Sequence, residues 1–542
     1  MQFNQLQVPT LNSVTMCSMC PSGKRQTESQ ETTLANDVNI ETDLRSKDYD
    51  GVILILYPKE LNVEPPAQIA DFIRNIATLD GKLHKGATLW YNERVAGGRL
   101  IVSSTGRITP YQDATVIKDA AANGMLRALE AGIKRPILIA QTVTDFPEGQ
   151  LVAILGALEV LYVPLQMYER GARRSADKIG LYAQDEVTES FLDTIRNAIG
   201  LEQARIITRD IAGGDPERMC PANVVKYVNA TFAKDSNISL EVIEDVKVIA
   251  KEYPLLSAVS RAVNNNERQK ARIVELEYNP DNAAKVVETL ILVGKGVCYD
   301  TGGADVKIGS KMRGMSRDKS GAAAVAGFMK ACSILKPSHL KVIGVLCLCR
   351  NSFGSYSYVA DELLVSRAGK TVRITNTDAE GRLAMADALT KAANLAFNAV
   401  NPHIYTIATL TGHASLCFGE YTVALDNHIA RTVNQAIRLQ ISSSRISEGL
   451  EVSIMRQIDL TVNEGKCKGD DLSQFDPEAK GRNHQFAAGF LMKISGLDEL
   501  DLKYTHLDIA GSCGMPPEEP TAAPLLTLCH AHKVVNMCQC GL

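Results

Sequence analysis

Three segments in the second half of the chain, "TLILVG" (289–294), "KVIGVLCL" (341–348) and "HIYTIATL" (403–410), are apolar at nearly every position, and stretches of helical period such as 320–335 and 383–397 separate them. A strand with one wet face alternates apolar and polar residues, whereas a continuous apolar run belongs to a strand covered on both faces. Covering both faces requires helical crossovers between parallel neighbours. With "ARIVELEY" (271–278) and "TVRIT" (371–375) extending the series, the spacing predicts an α/β domain around a central mixed, mostly parallel sheet flanked by helices.

A smaller α/β unit is legible upstream. "GVILILYP" (51–58), "RLIVSS" (99–104), "RPILIAQT" (135–142) and "KIGLYAQ" (178–184) read as strands. "PAQIADFIRNIATL" (66–79), "DATVIKDAAANGMLRALEAG" (113–132) and a segment near 147–170 read as helices. At 542 residues the chain exceeds what one core ordinarily serves. The helix-period segment "ESFLDTIRNAIGLEQARIITRDI" (189–211) is expected to link two domains, drawn here as 1–185 and 186–542. Residues 1 to about 40 are polar, follow neither period and are expected to be poorly ordered.

Composition removes several classes of function. A net charge of -4 with 22% charged residues offers no basic face for nucleic acid. No apolar run approaches the roughly eighteen residues of a membrane-spanning helix, and no secretory or transit pattern is legible, so the expected location is the cytoplasm. The thirteen cysteines are odd in number and sit largely in apolar segments, as reduced thiols do. Cys17 with Cys20, and Cys529, His530, His532, Cys538 and Cys540, admit a structural-zinc reading beside that of ordinary thiols.

The charged residues cluster where strands are expected to end. In open α/β sheets, working groups gather beyond the carboxyl edge of the strands. "TLILVG" runs into "KGVCYDTGGADVK" (295–307), which carries Lys295, Asp300 and Lys307; Asp318 stands before the helix at 320–335; and "TVRIT" runs into "NTDAEGRL" (376–383), with Asp378, Glu380 and Arg382. Four carboxylates brought together repel and are costly to desolvate unless cations neutralise them. Two divalent ions about 3.5–4 Å apart do this, and such a pair activates water while polarising a carbonyl. If the loop is extended, Asp378 and Glu380 project to one side. The glycines of "DTGG" and Gly381 are expected to supply backbone freedom. Taken alone, Asp318 reads equally as a helix N-cap and the Asp-x-Glu pair as a solvated turn.

Together, "VGKGVCYDTGG", "MSRDKSGAAA", "NTDAEGRLAMADAL", "ATLTG" and "HLDIAG" resemble the leucyl aminopeptidase family of two-metal exopeptidases, the M17 or cytosol aminopeptidase family, over roughly residues 200 to 528. The wording "CYDTGGADVK" is similar to a divergent animal branch. The resemblance implies one metal position built by Lys295, Asp300, Asp318 and Glu380, and a more exchangeable one built by Asp300, Asp378 and Glu380. Such ligands accept Zn or Mn, and Mg or Co as well. Lys295 has to be neutral to serve, far from its ordinary state. Further implied are Lys307 as the electrophile at the scissile carbonyl, a bicarbonate held by Arg382 as general base, Met315 in the first-residue pocket, and Thr409, Leu410 and Gly412 along the substrate backbone. Met315 reads equally as a core residue; Asp508 reads as structural.

The expected activity is release of the N-terminal residue of peptides by a homo-hexamer, with no nucleic-acid or membrane partner. The alternative is a non-catalytic member acting as an oligomeric scaffold or regulator, and the intact ligand set favours the enzyme. One departure from the family wording stands out: Lys319 adjoins Asp318, with Lys311, Arg313 and Arg317 close by. That positive charge is expected to weaken metal affinity or to bias the site toward acidic peptides.

Overall fold

The computed structural model describes residues 37–184 and 187–535 together with Leu34. Most of the N-terminal stretch expected to lack order, and Cys17, Cys20, Cys538 and Cys540, lie outside the described residues.

The first half builds a six-stranded sheet in the order Val38–Glu41, Ile179–Tyr182, Pro136–Ile139, Gly51–Leu56, Arg99–Ser104, Gly86–Tyr91. Every pairing is parallel except the last. The strand Gly51–Leu56 is buried at all positions because helices cover both faces. Ile53 and Ile55 share a core with Ile117, Ala121 and Met125 of the helix Thr115–Glu130. Val52 and Leu54 pack instead with Ile69, Ile73 and Ile76 of the helix Ala67–Leu79. The helix expected near 147–170 is two, Gly149–Glu159 and Leu165–Glu169, separated at Pro164, whose ring cannot continue a helix.

The second half builds an eight-stranded sheet in the order Leu450–Val452, Thr422–Asp426, Lys503–Asp508, Pro402–Ala408, Glu288–Asp300, Leu340–Asn351, Arg272–Tyr278, Ile238–Ile243. The four middle strands, Lys503–Asp508 through Leu340–Asn351, are mutually parallel, with antiparallel neighbours on either side, so the sheet is mixed with a parallel centre. The helix Ser320–Leu335 shares a core with Leu290 and Leu292, and the helix Glu380–Ala396 with Ile291 and Val293, so the two cover opposite faces of one strand. Two expectations change here. The strand beginning near 289 continues to Asp300, which places Lys295 within it, and "TVRIT" belongs to a separate three-stranded sheet of Leu363–Val365, Thr371–Arg373 and Leu472–Ser473.

Between the sheets in sequence runs the helix Glu189–Gly213, capped by the Thr188 hydroxyl, which accepts from the Phe191 amide at 3.2 Å. Its buried Arg205 donates from Nε to Glu202 at 2.6 Å and reaches Glu159 at 3.1 Å, while Arg209 lies 3.2 Å from Glu159. Charges this deeply placed are tolerated only when paired, and the pairing ties this helix to Gly149–Glu159 of the first half.

Candidate active site

The three charged segments meet in one cavity of about 360 Å³. Lys295, rising from the middle of its strand, places Nζ 2.6 Å from Asp318 Oδ1 and 2.9 Å from Glu380 Oε1, and donates to the Thr409 carbonyl at 3.1 Å. Lys307 Nζ sits 2.8 Å from Asp300 Oδ2 and pairs with Asp378 as well. Asp300, Asp318 and Glu380 bring carboxylate oxygens within 4.8 Å of one another. Lys295, Asp300, Asp318 and Glu380 are all buried.

Four carboxylates against two ammonium groups leave this cluster negative. Burial, together with the neighbouring carboxylates, holds the carboxyls of Glu380, Asp318 and Asp378 above their ordinary range. Burial works against the charged form of Lys295, but Asp318, Glu380 and Asp300 more than reverse it, and Asp300 does the same for Lys307. Asp318 Oδ2 is buried with no hydrogen-bond partner. An oxygen-rich, net-negative donor set with an orphaned carboxylate oxygen fits divalent cations.

Local sequence explains the convergence. After Asp300, Gly302 and Gly303 take φ of 88° and 68°, a left-handed conformation that glycine adopts without cost. The chain folds back so that the Lys307 amide donates to the Thr301 carbonyl at 2.9 Å. Asn351, ending the adjacent strand, donates to Asp300 Oδ1 at 2.8 Å and to the Thr377 carbonyl at 3.0 Å, and the Tyr358 hydroxyl reaches the same carbonyl at 2.8 Å. Asp305 accepts from the Thr377 amide at 2.6 Å. Asn351, Tyr358 and Asp305 thus position "NTDAEGRL", and only the place of Asn351 at a strand end signals this in the sequence.

The octapeptide is not extended. Asp378 lies in a turn and Glu380 opens the helix Glu380–Ala396, so the two carboxylates approach different lysines and are not joined by strand alternation. Gly381 needs no special backbone angle; it provides room, since an added Cβ would stand 2.5 Å from Lys295 Cε. Asp318 belongs to a short 3₁₀ turn, Met315–Lys319, and does not cap the following helix; its Oδ1 accepts from Lys295 and from the Thr409 hydroxyl at 2.8 Å.

Arg382 is buried on the cavity wall, its guanidinium 5.7 Å from the ring centroid of Phe475 and 5.9 Å from that of Phe490. It donates from Nη1 to the Gln474 carbonyl at 2.8 Å, while Nε is buried without a partner. Burial pulls the guanidinium down to about 10. Thr409, Leu410 and Gly412 also line the cavity, and Asp508 accepts from the Leu410 amide at 3.2 Å and the Thr411 hydroxyl at 2.8 Å. Met315 also lines the cavity, joined by Cys513 and Met515, which lie some two hundred residues away in sequence.

The extra cations divide. Lys319 is turned away from the cavity, donating to the Gly214 carbonyl at 2.9 Å, and burial brings it down to about 8. Lys311 and Arg313 are exposed and stand off the wall. Arg317 does line it: Nη2 donates to the Glu518 carbonyl at 2.9 Å, while Nε and Nη1 are buried and unpartnered. The zinc reading of the C-terminal segment fails for its described members. His530 faces Glu148 at 3.3 Å, His532 faces Glu288 at 3.0 Å and the Tyr405 hydroxyl at 2.9 Å, and Cys529 is a buried free thiol.

A model of the catalytic domain of the cytosol aminopeptidase family matches residues 206–529. The chain belongs to this family. It is a peptidase, a hydrolase. It is 38% identical over 511 residues to the "Putative aminopeptidase W07G4.4" of Caenorhabditis elegans, covering 90% of this chain and 96% of that one. The "Probable cytosol aminopeptidase" of Helicobacter hepaticus is 30% identical over 304 residues, 56% of this family member and 60% of the relative. The same two-domain α/β fold is found in the bottromycin maturation enzyme BotP in complex with Mn, with a TM-score of 0.73 at 20% identity over 89% of this chain and 98% of that one. Among the described residues, no helix is long and apolar enough to cross a membrane.

Proposed function

We propose that the chain is a two-metal aminopeptidase that releases the first residue of peptides. The observation that carries this reading is the net-negative cluster of Asp300, Asp318, Asp378 and Glu380 about Lys295 and Lys307, with Asp318 Oδ2 buried and unpartnered. Lys295 and the four carboxylates would hold two divalent ions, Zn or Mn, with Mg or Co also admissible, Lys295 serving only as the neutral amine left once an ion displaces its proton. Bound there, the ions supply Lewis acidity at a carbonyl and acidify water near neutral pH.

The remaining groups act around that centre. Lys307 is held at the cavity by Asp300 and Asp378, and its ammonium stabilises the oxyanion that develops as the carbonyl is attacked. Arg382 would hold a small oxyanion, bicarbonate in this reading, at its free Nε, and such an anion would supply a general base beside Glu380. The rim from Thr409 to Gly412 aligns the peptide backbone, and Met315, Cys513 and Met515 receive the first side chain. A purely structural role leaves the orphaned Asp318 and Arg382 atoms unexplained, since buried polar groups without partners are costly. Assembly into a homo-hexamer in the cytoplasm, and a domain boundary at 185/186, complete the proposal.

Hydrolysis of a panel of aminoacyl amides by the purified chain with added Mn or Zn, beside the Asp378→Ala/Glu380→Ala variant, tests it. Metal-dependent release by the parent and none by the variant is expected. A folded parent that turns over no substrate with either metal would sink the catalytic reading.

A further inference from the structure

Outside this cavity, one other group of side chains has the composition of a metal site. The short helix Gly412–Phe418 presents His413 and Cys417 one turn apart, and His484 meets them from the first turn of the helix Asn483–Ser495. His413 Nδ1 lies 2.6 Å from His484 Nδ1, and Cys417 Sγ lies 3.9 Å from the same His413 nitrogen. Each residue offers one donor atom, and the three donors fall within 4.8 Å of one another. The two imidazoles stack at 4.8 Å between centroids.

From this geometry we infer a second, independent cation site formed by His413, Cys417 and His484, with the chemistry of a borderline-soft divalent ion such as Zn²⁺. The donor set differs from that of the carboxylate cluster: two imidazoles and a thiol select zinc over magnesium, calcium or manganese. Zn–S of about 2.3 Å and Zn–N of about 2.0–2.1 Å give tetrahedral edges of about 3.5 Å between sulfur and nitrogen and about 3.4 Å between two nitrogens. The observed 3.9 Å between Cys417 Sγ and His413 Nδ1 has to close by about 0.4 Å to reach the first. The closer nitrogen pair has to open by less than about 1 Å to reach the second.

The surroundings favour a ligand. His484 is buried, and its Nε2 meets the Ser453 hydroxyl at 2.9 Å, which fixes the ring and leaves Nδ1 directed at His413. Ser453 is held in turn by Gln485 Nε2 at 3.0 Å. Cys417 is exposed and free, which gives the ion an entry path and leaves a fourth position open to solvent. A cation here would fasten the helix that begins at Gly412, and with it the Thr409–Gly412 rim, to the helix Asn483–Ser495.

The test is titration of the full chain with Co²⁺, carried out in the Asp378→Ala/Glu380→Ala background so that the carboxylate cluster does not compete. A thiolate-to-cobalt charge-transfer band with intense tetrahedral d–d absorption is expected, displaced by one equivalent of Zn²⁺. The band is expected to vanish in Cys417→Ser and to weaken in His484→Ala, with circular dichroism checking that each variant is folded. Absence of the band in the folded parent, or its persistence in Cys417→Ser, would overturn the assignment.

Discussion

Substituting Gly381 by alanine isolates the feature that joins the octapeptide to the strand beneath it. The new Cβ would meet Lys295 at 2.5 Å from Cε, 2.7 Å from Nζ and 2.9 Å from Cδ. Ordinary carbon contacts lie at about 3.5–4.0 Å, so the lysine has to retreat by about 1 Å. It has little freedom to do so, because Nζ is held at 2.6 Å by Asp318 and at 2.9 Å by Glu380. Overpacking of this kind costs about 1–3 kcal/mol, and alanine returns up to about 1 kcal/mol over glycine inside a helix, leaving a net destabilisation of about 0–3 kcal/mol. The fold survives. Catalysis does not, because a displacement of about 1 Å within a reacting constellation costs on the order of 100-fold. The assay is kcat/KM on leucyl amide with saturating Mn, beside thermal unfolding of the same preparation. Full kcat/KM in Gly381→Ala would refute the reasoning; a higher unfolding midpoint with full activity would show that helix propensity is all that changed.

Arg382→Met is expected to lower kcat by about 10²–10⁴-fold, the worth of a positioned general base, and to abolish any response of the rate to added bicarbonate. Arg317, with Nε and Nη1 buried and unpartnered on the cavity wall, is expected to favour acidic first residues: Arg317→Met should reduce kcat/KM for glutamyl relative to leucyl substrates by about 10–100-fold, the worth of a charge-assisted hydrogen bond. An unchanged ratio would remove Arg317 from specificity. Burial raises Glu159, but Arg209 and Arg205 outweigh it and hold the carboxyl down at about 2, against 4.5 for the free side chain. Since its folded pKa is depressed, its stabilisation is present above about 4.5 and is lost as the pH falls toward 2, so the gap in thermal midpoint between the parent and Glu159→Gln should be widest near neutrality and close in acid.

The parallel centre of the main sheet was legible because continuous apolar runs such as 289–294 admit few other placements. Half-exposed or short strands were not: Gly86–Tyr91 at one edge and Ile238–Ile243 at another alternate in burial and carry weak patterns. Among site residues, every side chain expected from the motifs lines one cavity, since each motif follows or precedes a regular element that fixes its place. The local geometry was less accessible. A two-residue spacing could not distinguish an extended loop from the turn that starts a helix at Glu380, and adjacency to Asp318 in sequence did not reveal that Lys319 turns to the Gly214 carbonyl. Cys513, Met515 and the pairing of His413 with His484 depend on contacts between segments far apart in sequence, for which a single chain carries no local signal.

The most direct test of the central claim is mass spectrometry of a free peptide and its N-acetylated twin incubated with the Mn-loaded chain. Stepwise loss of single residues from the free amino end, with the acetylated peptide intact and all cleavage stopped by a chelator, is the predicted result. Internal cleavage, equal attack on the acetylated peptide, or no cleavage by folded protein would contradict it.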